Sequence, residues 1–132
     1  MITNARDEIR VTDPETGGQK GTKPQRYDLI STYGLDQLAR VYGYGVGKYA
    51  DRNWEKGYKW GLSFAAMCRH IFAFWRGEDL DPESGLPHMA HAAWHCFTLL
   101  EFSHFRRGTD DRSQLTAPLP TTLYGYKLTG SG

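Results

Sequence analysis

Pro87-His88-Met89-Ala90-His91-Ala92-Ala93-Trp94-His95-Cys96-Phe97-Thr98-Leu99-Leu100-Glu101-Phe102-Ser103-His104-Phe105 is the stretch that decides the fold class. Met89, Ala92, Cys96, Leu99, Leu100 and Ser103 return at helical spacing and make one face of a helix over residues 87–105. Pro87 suits a first helical turn, and Gly108 after Arg106 and Arg107 supplies the stop. A second helix is predicted over residues 62–76, with Ser63 as its N-cap, Gly77 as its stop, and Phe64, Met67, Cys68, Ile71 and Trp75 as its apolar face. Further back, Leu35, Leu38, Ala39 and Tyr42 mark a short helix over residues 35–42. Residues 43–61, rich in glycine, aromatic and basic side chains, read as a long loop, and so many aromatics argue against disorder.

The ends are plainer. Residues 1–25 are polar, carry Pro14, Gly17, Gly18, Gly21 and Pro24, and read as an arm. Residues 109–132 read as an irregular tail in which 121–126 extends without a partner strand. The expected architecture is all-α, a small helical bundle in one domain: an arm (1–25), a helical catalytic core (26–108) and a tail (109–132).

Composition excludes several function classes. The chain has 132 residues, 39% of them apolar and 23% charged, with a net charge of +1. That balance creates no global field for nucleic acid or a membrane surface, so neither is expected as a partner. The apolar run 71–75 is far too short to span a bilayer, and Arg6, Asp7, Glu8 and Arg10 interrupt any signal-like start. Cys68 and Cys96 read as reduced core thiols of a cytoplasmic protein.

Three constellations carry chemistry. His88, His91 and His95 stand at i, i+3 and i+7 and share one face beside the apolar stripe. One such histidine alone is usually a half-buried, hydrogen-bonded side chain; three in register behind an acidic turn point to metal ligands. His70 is placed to meet them across a helix pair, and His104 points elsewhere. The turn holds Glu78, Asp79, Asp81 and Glu83, oxygen donors for hard divalent cations, although Asp81-Pro82-Glu83-Ser84-Gly85 is also ordinary turn chemistry. Gly85 and Pro87 aim it at the helix start that carries His88, where free N–H groups favour an anion. In the aromatic and basic stretch, Lys48, Arg52, Lys56 and Lys59 can pair with phosphates. Trp54, Tyr58 and Trp60 offer flat faces, and Asn53 offers both a donor and an acceptor. Gly43 to Lys48 lacks the spacing of a P-loop, and no G-x-S-x-G, H-E-x-x-H, His-Asp pair or C-x-x-C is present.

Lys48-Tyr49, Asn53-Trp54, Gly57, Arg69-His70, the run Gly77 to His88, His91-Ala92 and Leu99-Leu100-Glu101, with the lead-in Lys20 to Arg26, together resemble the phage dATP/dGTP diphosphohydrolase (MazZ) family. That family is a branch of the all-α MazG-like NTP pyrophosphohydrolases. The resemblance runs over roughly residues 20–102. It implies a helical core completed by oligomerisation, as a dimer or tetramer. It also implies release of pyrophosphate from purine deoxynucleoside triphosphates, dGTP and also dATP, with divalent ions (Mg²⁺, Mn²⁺ or Co²⁺). In phages that replace adenine with 2-aminoadenine, such an enzyme supplies dGMP for synthesis of the modified purine. The E-x-x-E and E-x-x-D pairs typical of MazG-like enzymes are absent here; His70 stands near the first and His88-Met89-Ala90-His91 near the second. The expected ligands are therefore Asp81, Glu83, His88, His91 and His70, with Glu83 or Glu78 as general base. Lys48, Arg52 and Arg69 are expected on the phosphates and Asn53, Trp54 and Tyr58 on the base. Two other classes remain open: a nucleotide-binding module without catalysis, and a triphosphohydrolase releasing tripolyphosphate.

Overall fold

Helix spacing in the second half of the chain translates directly into two long packed helices. The computed structural model describes residues 8–113 and the backbone of two short strands beyond them, β3 (Thr122–Leu123) and β4 (Tyr126–Lys127). The described residues contain α1 (Thr32–Lys48), α2 (Trp60–Trp75) and α3 (His88–Phe105), with 3-10 turns at Tyr27–Leu29 and Asn53–Lys56. Trp60 reaches Arg107, Ser63 reaches His95 and His70 reaches His88, so α2 and α3 run antiparallel. α1 crosses onto α3 through Tyr42 against Trp94 and Tyr44 against His91. Leu38, Val41, Trp60, Ala90, Ala92 and Phe102 form the buried apolar core.

Several expectations need correction. The N-terminal arm contains a hairpin: β1 (Ile9–Thr12) pairs antiparallel with β2 (Gln19–Thr22). Its turn is tied by the Asp13 carboxylate, which accepts from the N–H groups of Glu15 and Thr16, and by Gly17 at φ +77°. Met1 to Asp7 of that arm lie outside the described residues. In the tail β3 does have a partner, β4, while Pro118 and Pro120 lie outside the described residues.

α1 starts earlier than expected, on the Ser31 hydroxyl that accepts from Gly34 N–H at 3.0 Å, and continues through Gly43, Gly45 and Gly47 to Lys48. Glycine weakens a helix by about 1 kcal/mol per residue relative to alanine. Tertiary anchors on Val41, Tyr42, Tyr44 and Lys48 override that preference. The loop expected over 43–61 is thus helix, then a 3-10 turn, then the first turn of α2.

α2 is capped from a distance rather than by Ser63. Trp60 N–H donates to the Thr109 carbonyl, and Gly61 N–H to the Asp111 carboxylate at 2.8 Å. Ser63 lies inside the helix, 1% exposed.

A further correction concerns which stripe faces inward. On α2, Phe64, Ile71 and Trp75 are exposed, Trp75 by 85%. On α3, Met89, Cys96 and Leu100 are exposed, while His88, His91, Thr98 and Phe102 are buried. Cys68 is half-buried, and the Cys96 thiol, exposed beside Met67, is no core thiol. Ser63, His88, His91 and Thr98 are thus buried together with Trp60, Ala90, Ala92 and Phe102.

Candidate metal centre

The histidine face of α3 meets His70 of α2. The His70 ring stacks on His91 at 4.5 Å with a 6° interplanar angle, and its Nδ1 lies 2.8 Å from Nδ1 of His88. The other nitrogen of His88, Nε2, donates to Glu78 Oε1 at 2.7 Å. A carboxylate can only accept, so a neutral His88 carries its proton on Nε2 and turns the lone pair of Nδ1 toward His70.

Asp81 is brought beside this pair by a tight turn. Its N–H donates to the Leu86 carbonyl, Gly85 at φ +75° returns an N–H to the Asp81 carbonyl, and His88 N–H reaches the Asp79 carbonyl. Ser84 donates both its N–H and its hydroxyl to Asp81 Oδ2, at 3.1 and 2.9 Å. The same hydroxyl therefore accepts from Nε2 of His91, at 2.7 Å. Burial pushes the Asp81 carboxyl up, but the two Ser84 hydrogen bonds and nearby His91 outweigh it and hold the group below the usual carboxylate range. Burial first, and then neighbouring His91, lowers His70; burial also lowers His91 against the pull of Asp81.

One ligand atom from each of His70, Asp81 and His88 lies within 4.8 Å of the other two. Two imidazole nitrogens turned toward each other, with an ionised carboxylate alongside, make a donor set that fits a divalent cation. The mixed nitrogen and oxygen set suits manganese, cobalt or iron; magnesium favours oxygen alone. Glu78 behind His88 stands where an outer carboxylate would fix a ligating ring. Glu83, expected as a ligand, is engaged elsewhere: its Oε1 accepts from Lys48 Nζ at 2.7 Å and Tyr44 hydroxyl at 3.1 Å. Those hydrogen bonds lower Glu83 and raise Lys48.

The cluster opens into a cavity of about 1360 Å³. Lys48, Arg52 and Arg69 line it, as do Asn53, Trp54, Tyr58, Glu83 and His91. Glu78 stands outside the lining, as do Asp79, Lys56, Lys59 and Trp60. Trp54 and Tyr58 also pack on fully buried Phe102, with ring centroids at 6.3 and 5.1 Å, which holds the 3-10 turn against α3. A smaller hollow of about 680 Å³, near Lys20, Thr22 and Arg26, gathers no metal-ligating cluster among the described residues.

Comparison with known proteins bears on this arrangement. Residues 14–112 match the family model described as dATP/dGTP diphosphohydrolase, N-terminal. The chain belongs to that family. Within the dATP/dGTP diphosphohydrolase N-terminal family it is similar to the "dATP/dGTP diphosphohydrolase" of Salmonella phage PMBT28, at 34% identity over 84 residues. That similarity covers 64% of this chain and 29% of the relative, so the chain spans under a third of the relative's length. No solved structure matches it. No helix among the described residues is long and apolar enough to cross a membrane.

In this family member, the site contacts of Tyr44, Ser84 and Ser63 are not marked by the sequence. Tyr44 and Lys48 are four apart, a signal only visible once the segment is known to be helical. Ser84 three residues after Asp81 was a local turn signal. Ser63 contacts groups five and 32 residues away, which no local pattern reveals.

Proposed function

We propose that this chain is the nucleotide-hydrolysing unit of a divalent-metal-dependent dATP/dGTP diphosphohydrolase of MazG-like, all-α type. In the reaction, water adds across the α–β anhydride of dGTP or dATP, giving the monophosphate and pyrophosphate. The observation that carries this reading is the approach of His70, Asp81 and His88 at the wall of a cavity that also holds Lys48, Arg52 and Arg69. The relative's name, a dATP/dGTP diphosphohydrolase, supports the substrate class.

His70, Asp81 and His88 would hold the cation, with His91 alongside. A cation there supplies charge neutralisation for the triphosphate and a more acidic water. The chain's own residues do the rest. Glu78 keeps the proton of His88 on Nε2 and its lone pair inward. Lys48, Arg52 and Arg69 bind phosphate oxygens. When Lys48 leaves Glu83 for a phosphate, Glu83 loses the hydrogen bond that holds its acidity high and becomes a better general base. Asn53, Trp54 and Tyr58 hold the base. Where a phage carries 2-aminoadenine, the dGMP released feeds synthesis of that purine.

The test is pyrophosphate release from dGTP and dATP with Mn²⁺, Co²⁺ or Mg²⁺, for the wild type, Asp81→Ala and His88→Ala. Each variant is expected to lose at least about 100-fold, the upper effect of disturbing a metal site's surroundings. Wild-type rates in both variants overturn the assignment. Short coverage of the relative favours a second reading, a module that binds nucleotide without turning it over. In that case dGTP binds and no metal yields pyrophosphate; tripolyphosphate among the products reports the other cleavage.

A further inference from the structure

Ser63 places a hydroxyl at a sealed position of α2. Its Oγ lies 2.5 Å from the Tyr58 hydroxyl and 3.0 Å from Nδ1 of His95. Tyr58 and His95 both line the cavity, so the chain Tyr58–Ser63–His95 begins and ends at its wall. Nε2 of His95 has no hydrogen-bond partner among the described residues and is not among their sealed polar atoms. As His95 lines the cavity, this open nitrogen is the one available to a bound molecule. A neutral His95 ring has one N–H and one lone pair.

Ser63 determines which nitrogen carries that proton. With Tyr58 donating to Ser63 and Ser63 donating to Nδ1, Nε2 presents an N–H to the cavity. With Nδ1 donating to Ser63 and Ser63 donating to Tyr58, Nε2 presents a lone pair. The exchange balances: water gives a proton to the Tyr58 oxygen, the Tyr58 proton passes to Ser63, the Ser63 proton passes to Nδ1, and the Nε2 proton leaves to water. Both hydroxyls and the neutral ring are restored.

The two purines differ in this polarity. At position 1 adenine accepts and guanine donates; at position 6 adenine donates and guanine accepts. A fixed buried donor or acceptor facing either position rejects one purine, because an unpaired polar group in such a site costs about 10⁴-fold in discrimination. His95 stands seven residues along α3 from His88, about 10 Å away, a reach comparable to that from phosphates to base in a nucleotide. Trp94 meets its ring edge-on at 4.9 Å. Resting on the purine-nucleotide reading above, we infer that Tyr58–Ser63–His95 is a reversible hydrogen-bond relay that lets Nε2 of His95 read the 1,6-edge of either purine. In the relay His95 touches the base edge, Ser63 is the positioning residue, and the Tyr58 hydroxyl closes the chain behind it.

The test uses the full chain with ¹⁵N-labelled histidine, titrated with α,β-methylene analogues of dGTP and dATP in the presence of Mg²⁺. Ring nitrogen shifts of His95 are expected to report opposite tautomers in the two complexes. In parallel, Ser63→Ala is expected to change the dGTP to dATP ratio of kcat/KM by about tenfold or more, and Ser63→Thr, which keeps the hydroxyl, to restore it. If both analogues bind and His95 keeps one tautomer in both, the relay is wrong while the nucleotide reading survives. If neither analogue binds, both fall. Should Ser63→Ala misfold, the wild-type spectra still decide.

Discussion

At the scale of single residues, the site depends on which nitrogen of each imidazole is free. Glu78 is exposed and outside the cavity, yet its 2.7 Å bond to Nε2 of His88 decides where the lone pair of that ring points. Losing such an outer partner usually costs 10- to 100-fold in metal affinity. Glu78→Ala is expected to weaken Mn²⁺ binding within that range by titration calorimetry, with the fold intact by circular dichroism; an unchanged affinity removes Glu78 from the site. Ser84 plays the matching part for Asp81 and His91, through a hydroxyl that donates to one and accepts from the other.

At the scale of elements, glycines mark where chain geometry was chosen for different reasons. Gly43 is exposed within α1, and a Cβ built there meets nothing within 4 Å. Gly43→Ala is therefore expected to stabilise the protein by about 0.5–1 kcal/mol. Gly108 is the opposite case. It has φ +70°, and a Cβ there would fall 2.2 Å from the Tyr58 carbonyl oxygen. The close approach belongs to the strap that ties the start of α2 to the chain after α3, with Thr109 N–H on the Tyr58 carbonyl and the Trp60 indole on the Arg107 carbonyl. Gly108→Ala is expected to destabilise by at least about 1–2 kcal/mol from the left-handed backbone alone. Urea midpoints of the two variants should move in opposite directions; a common direction contradicts this account of α1 and the strap. The helices α2 and α3 themselves were legible from residue spacing, because 3.6-residue periodicity is a local property. The length of α1 and the start of α2 were not, because the contacts that decide them come from Trp94, His91, Thr109 and Asp111.

At the scale of the whole molecule, two consequences follow from histidines inside and hydrophobic side chains outside. The first is a pH dependence. Burial holds His95 at about 4, and His70 and His91 are lowered in the same direction. Unfolded histidine titrates near 6.5, so below that value the unfolded chain binds protons that the folded chain refuses. Stability is expected to be full above about pH 6.5 and to fall as pH drops toward about 4. Denaturant midpoints taken with a chelator present check this, and equal midpoints at pH 7.5 and 5 contradict it. The second is self-association. Leu62, Phe64, Ile71, Phe72 and Trp75 of α2 and Met89, Phe97 and Leu100 of α3 are all exposed. Large side chains offer roughly 150–250 Å² each, so these leave on the order of 800 Å² of apolar surface, one partner's share of a standard interface. We propose that a second copy of the chain covers it. Sedimentation is expected to show a dimer or larger assembly that Trp75→Asp with Phe72→Asp dissociates; a monomeric wild type overturns the proposal.

The sequence by itself determined that α2 and α3 exist and where α3 ends, that three histidines share a face, and that an acidic turn delivers Asp81 to the start of α3. Those are consequences of helical period and turn chemistry, which act over a few residues. Only the tertiary structure decided that the histidine face is the inner one and that Glu83 is held by Lys48 rather than by the cluster. It also showed that Ser63 serves a buried network rather than a helix end. Burial and long-range hydrogen bonds are properties of surfaces brought together by folding, and spacing along one chain does not encode which of two stripes meets them.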